Sequence, residues 1–151
     1  MKFLERSFLL MYLIGLFFSF MQKPPDYSLL FVSSFLFAAL YILCMPFLLK
    51  HITFRDLANK EVRQGFKWHQ VLSGILFGIL SAYIVFAITY HLLGKMDSLA
   101  LAENCGIFLV LFTLFSIISI KGSNSSYYKS MLVRTGIQAA VVTASLLIKA
   151  L

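Results

Sequence analysis

Apolar residues in this chain do not alternate with polar ones; they run in long blocks separated by short polar breaks. About 20 apolar residues make a helix ~30 Å long, which matches a bilayer's hydrocarbon core, and in that medium each backbone amide must be satisfied within its own helix. The blocks predict spans at about 4–21, 29–49, 70–93 and 99–120, and a C-terminal helix at about 128–151. The expected fold is all-α: a polytopic integral membrane helical bundle of four transmembrane helices. The C-terminal helix is a candidate fifth span, and residues 1–151 form one domain.

The blocks differ in ways that matter. The first runs from Ser7 to Met21 and stops at Gln22-Lys23-Pro24-Pro25-Asp26, where two prolines cannot continue a helix. It is long enough to cross only if Phe3 and Leu4 join it and Lys2 and Arg6 snorkel to the interface. Its basic start and apolar stretch are those of a secretory leader, but Phe20, Met21 and Gln22 offer no small pair to cleave, so a retained anchor is expected. The second block, Leu29 to Leu49, is uncharged and meets Pro46 only near its end. The third, Val71 to Leu93, has no fixed charge and is flanked by Trp68-His69 and Tyr90-His91, as interfacial aromatic belts would have it. Glu103 sits early in the fourth, and Arg134, Gln138 and Lys149 sit in the last.

Composition narrows the class further. Of 151 residues, 60% are hydrophobic and 13% charged, with a mean hydropathy of +0.89. That leaves too little polar surface for a soluble enzyme and far too much apolar surface for a disordered chain. The net charge of +7 would suggest nucleic acid in a soluble protein; here its distribution is a topology signal. Nine Lys and Arg fall in the N-terminal stretch, loop 50–67 and loop 121–130, against Lys23 and Lys95 in the alternate loops. The N-terminus is therefore expected in the cytoplasm, with the bacterial inner membrane as the default location, and nucleic acid is not an expected partner.

Loop 50–67 is the largest polar segment. Thr53 and Asp56 have capping-box spacing, and Phe54, Leu57, Ala58 and Val62 share a face, which predicts a short interfacial helix on anionic lipid. A docking platform for a cytoplasmic protein is the sharper alternative.

Three groups of residues are candidates for function. Gly74, Gly78 and Ala82 form a small-xxx-small face that lets another helix approach closely, either from this chain or from a second copy. On the last helix Arg134, Gln138, Ser145 and Lys149 make a polar stripe, with Gly136, Ala139, Ala140 and Thr143 roughly opposite, Gly136 and Ala140 being the packing candidates. That stripe suits a fifth span with snorkelling ends, an amphipathic surface helix, or the lining of a wet path in an oligomer. Glu103 is the one carboxylate inside an apolar run on this reading. A short hairpin brings it toward His91, so Tyr90, His91, Glu103 and Asn104 are expected to converge on a cation or proton site, or to lie separately in the headgroup layer.

No catalytic pattern is present: there is no CxxC, HExxH, GxSxG or Gly-rich phosphate loop, and Cys44 and Cys105 lie in separate blocks. Neither a metal, a cofactor nor a catalytic residue is expected. The function expected is a non-enzymatic, oligomeric membrane protein that forms or supports a permeation path through self-association. The alternatives are an accessory or immunity-type subunit that binds another membrane protein, and a membrane enzyme acting on lipid headgroups.

Overall fold

The computed structural model describes residues 2–21, 27–52, 56, 67–123 and 125–150. Five helices follow one another: α1 Lys2–Met21, α2 Ser28–Leu49, α3 Trp68–Leu92, α4 Ser98–Ser123 and α5 Ser126–Ala150. No strand occurs among the described residues. Four helices, α2 to α5, contain stretches long and apolar enough to cross a membrane. The interfacial helix expected in loop 50–67 falls mostly on residues 53–55 and 57–66, outside the described residues.

Hydroxyl residues are accommodated in these apolar helices by bonding back one turn. Ser34 donates to the Leu30 carbonyl, Ser81 to Phe77, Thr89 to Val85 and Thr135 to Met131, at 2.7–2.9 Å. Each hydroxyl thus spends its hydrogen on its own helix and can enter the bundle without an unsatisfied donor. Helix ends are closed by the chain as well. Gly94 has φ 72°, its amide donates to the His91 carbonyl and the Lys95 amide to Tyr90, both at 2.9 Å, which forms a Schellman stop that a side chain at Gly94 would strain. His51, with φ 58°, plays the same part after α2, its amide reaching the Leu48 carbonyl and that of Ile52 reaching Phe47.

The core is built around α3, whose spanning stretch is 61% buried, against 39% for α2, 22% for α5 and 17% for α4. It packs on α2, α4 and α5. Gly74 and Gly78 explain the α2 contact: a Cβ on Gly78 would strike the Tyr41 carbonyl and come within 3.0 Å of Met45 Cβ, and one on Gly74 would meet Pro46 Cα at 2.9 Å and the Tyr127 hydroxyl. The small face of α3 is therefore filled by α2 of the same chain, and Ala82 is buried alongside. This leaves no room on Gly74 and Gly78 for the self-association considered from sequence.

The outer helices behave differently. α4 turns Leu99, Ile107, Val110, Leu114 and Ile118 outward, an apolar surface of the kind that faces lipid or another membrane helix. The C-terminal helix, α5, lies against α4 and α3 and buries Tyr127, Met131, Thr135, Val142 and Ser145, so it is a member of the bundle and not a helix laid on its surface. α1 comes close in backbone to α2 alone. It reaches the other helices only through side chains, which leaves a gap between α1 and α5.

Candidate functional site

That gap is where the polar residues meet. Arg134 lies eight residues into α5, ~12 Å along its axis, and turns toward α1. Its guanidinium donates from both terminal nitrogens to the two Glu5 carboxylate oxygens of α1, one of these bonds measuring 2.9 Å. Each side chain of the pair is 17% exposed. Such a two-pronged contact fixes orientation as well as charge, because the planar guanidinium matches the carboxylate edge to edge.

Two cavities adjoin at this pair. Toward the basic end of the bundle a vestibule of about 470 Å³ is lined by His51, Ser126, Lys129 and Ser130. Deeper, between α1, α2, α3 and α5, a cavity of about 280 Å³ is lined largely by Leu9, Phe37, Ile84, Val85, Ile88 and Val141, with Arg6, Tyr12, Tyr41, Ser81 and Gln138 as its polar groups. Glu5, Arg134 and Ile137 line both. The ion pair thus stands at the partition.

Within the inner cavity Gln138 Nε2 donates to Ser81 Oγ at 2.6 Å, joining α5 to the middle of α3. Gln138 Oε1 is buried and has no hydrogen-bond partner, which leaves an unsatisfied acceptor in a largely apolar space. Tyr12, which also lines the cavity, reaches Thr89 Oγ1 at 3.0 Å, and Thr89 meets Ser34 at 3.1 Å. Since Thr89 donates to the Val85 carbonyl and Ser34 to Leu30, Thr89 Oγ1 accepts the Tyr12 hydrogen, and a Thr89–Ser34 hydrogen bond forms only when one of the two releases its own carbonyl. This knot ties α1, α2 and α3 together. Thr89→Val is expected to cost about 1–2 kcal/mol by stranding the Tyr12 hydroxyl, while Thr89→Ser keeps most of the stability; thermal unfolding in detergent measures both.

Compared with known protein families, curated proteins and solved structures, the chain gives no match. What the site can do must therefore be read from its own geometry.

The other residues singled out from sequence do not join it. His91 is fully buried, and its Nδ1 lies 3.0 Å from the Met96 carbonyl, so it fastens the hairpin between α3 and α4. Tyr90 is exposed with its ring edge toward Phe31. Glu103 and Asn104 both face outward from α4, and Asn104 donates to Ala100 of its own helix. Of the two arrangements considered, convergence of Tyr90, His91, Glu103 and Asn104 does not occur: consecutive residues point about 100° apart on a helix, and His91 Nδ1 is turned to the Met96 carbonyl of its own hairpin. Gly136 and Ala140 are exposed, and a Cβ on Gly136 would meet nothing within 4 Å. They pack no helix of this chain, because the polar stripe opposite them has claimed the inward side of α5. The Lys149 side chain lies outside the described residues.

Glu5 is the residue that sequence reasoning missed, and with it the expectation that Glu103 was alone among apolar residues fails. A usable signal existed. Arg134 in an apolar helix requires a counter-charge, and the carboxylates in the five described helices are Glu5 and Glu103, Glu5 being at Arg134's end of the bundle. Among the described residues no three His, Cys, Asp or Glu side chains gather to hold a metal, and both cysteines are free.

Proposed function

We propose that this is a small, non-enzymatic membrane protein that supports passage of an anionic solute along a path inside one chain, gated by the Glu5–Arg134 pair. The observation that carries the reading is the shared lining: a vestibule and an inner cavity meet at the same ion pair. A closed pair blocks the connection sterically and electrostatically, and parting it joins the two spaces. Charged groups enclosed among membrane helices are costly to keep and commonly line solute or ion pathways. Tyr12, held by Thr89, also lines the inner cavity. Because one chain supplies the lining, the path does not depend on an oligomer. The basic end faces the cytoplasm of a bacterial inner membrane in this reading, since Lys and Arg are retained on that side.

Proteoliposomes test it. Mixed with iso-osmotic potassium salts of small anions in the presence of valinomycin, they are expected to swell faster than protein-free liposomes. Ile137→Trp, which obstructs the partition without touching the charges, is expected to slow that swelling about tenfold. Swelling no faster than that of empty liposomes for every salt overturns the proposal.

A further inference from the structure

The lining of the inner cavity carries Arg6, Arg134 and Glu5 as its charged groups, one positive charge in excess among the described residues. At ~30 Å³ for each water-sized group in a liquid, its volume of about 280 Å³ holds roughly nine such groups. It lies at the small end of ligand sites, which run from roughly 300 Å³ upward. Its walls below the ion pair are mostly aliphatic and aromatic. The unpartnered Gln138 oxygen, one turn deeper than Arg134 on α5, would repel a negative head group that sank past the guanidinium.

From these features we infer that the cavity binds a monocarboxylate of roughly nine or ten non-hydrogen atoms, whose head group replaces the Glu5 carboxylate on Arg134. Glu5 is then a built-in competitor: in the empty protein it occupies the anion's place. The chain tail of the ligand lies among Phe37, Ile84, Val85 and Ile88. Glu5 also lines the vestibule, so on displacement it turns there, beside the Lys129 side chain, and no charge is left unpaired in the apolar space. Exchange of one carboxylate for another on the same guanidinium lets the ligand open the partition. The inference rests on the path proposed above and names what that path recognises.

The two members of the pair should respond with opposite signs. Octanoate, with ten non-hydrogen atoms, serves as the probe, measured by equilibrium dialysis of radiolabelled ligand against the protein in zwitterionic lipid discs and against empty discs. Saturable binding above the empty discs is expected, displaced by unlabelled octanoate and not by octanol or octyltrimethylammonium. Arg134→Gln should weaken it at least tenfold, whereas Glu5→Gln should tighten it about tenfold by removing the competitor. A pair that serves only to hold helices together predicts instead that both substitutions weaken binding alike, and that result overturns the inference, as does equal displacement by octanol. Should either variant fail to fold, Val141→Trp fills the cavity with the pair intact and should abolish binding; retained binding is equally fatal. Octanoate binding without anion entry into liposomes removes the path and leaves this site standing. Anion entry blocked by Ile137→Trp, with no octanoate bound, does the reverse.

Discussion

Gly78→Leu should leave little folded protein, with the midpoint of thermal unfolding in detergent lost or lowered steeply. A Cβ at this position already collides with the Tyr41 carbonyl of α2 and approaches Met45 Cβ at 3.0 Å. The first of these is backbone, which cannot rotate away as the end of a side chain would. Even Gly78→Ala must push α2 off α3, and overpacking of this kind costs about 1–3 kcal/mol before the rest of a leucine is added. The consequence spreads because α3 is the helix on which α2, α4 and α5 all rest. The control is built into the same chain: Gly106 and Gly136 meet nothing within 4 Å. Replacing either by Ala should be neutral or gain a few tenths of a kcal/mol from better helix propensity. If Gly78→Ala and Gly136→Ala prove equally harmless, α2 does not pack on α3 through this face.

The difference between those glycines marks what sequence can and cannot convey. Hydrophobic blocks and their polar breaks located the helices to within a few residues, because block length is set by the bilayer and not by any partner. The Gly74 and Gly78 spacing pointed to a close-packed face for a similarly local reason: the absence of side chains on one side of a helix is visible in one helix. The identity of the partner is not local, and neither was the pairing of Glu5 with Arg134, which joins residues 129 positions apart. Gly136 and Ala140 show the same limit from the other side. Their spacing resembles that of α3, but Arg134, Gln138 and Ser145 compete for the inward face of α5 and win, since stranding a charge in lipid costs more than exposing a glycine. His91 was open for the same reason: a lone histidine at a helix end suits a ligand or an interfacial position equally well until the carbonyl it meets, Met96, is seen to lie in the adjoining turn.

Removing one member of the Glu5–Arg134 pair should cost more than removing both. Glu5→Leu leaves the guanidinium facing an apolar cavity, and breaking a buried pair in this way costs about 3–5 kcal/mol; Arg134→Leu costs less, because the Glu5 carboxylate can turn into the vestibule beside Lys129. At 17% exposure on each side chain, some water reaches the pair, so the lower end, about 3 kcal/mol, is expected for Glu5→Leu and less than that for Arg134→Leu. In the double variant, two leucines meet across the gap between α1 and α5 and no charge is stranded, so its stability should return to within about 1 kcal/mol of the parent. The double-mutant cycle then yields a coupling of several kcal/mol, well above the ~0.6 kcal/mol average of hydrogen bonds between transmembrane helices. Additive losses would mean that the two residues do not meet. The cycle also separates stability from function: the double variant retains the bundle yet lacks both the gate and the anion's anchor. If it folds and still admits anions at the parent rate, the path runs elsewhere; if it folds and admits none, the pair is what the solute must part in order to pass.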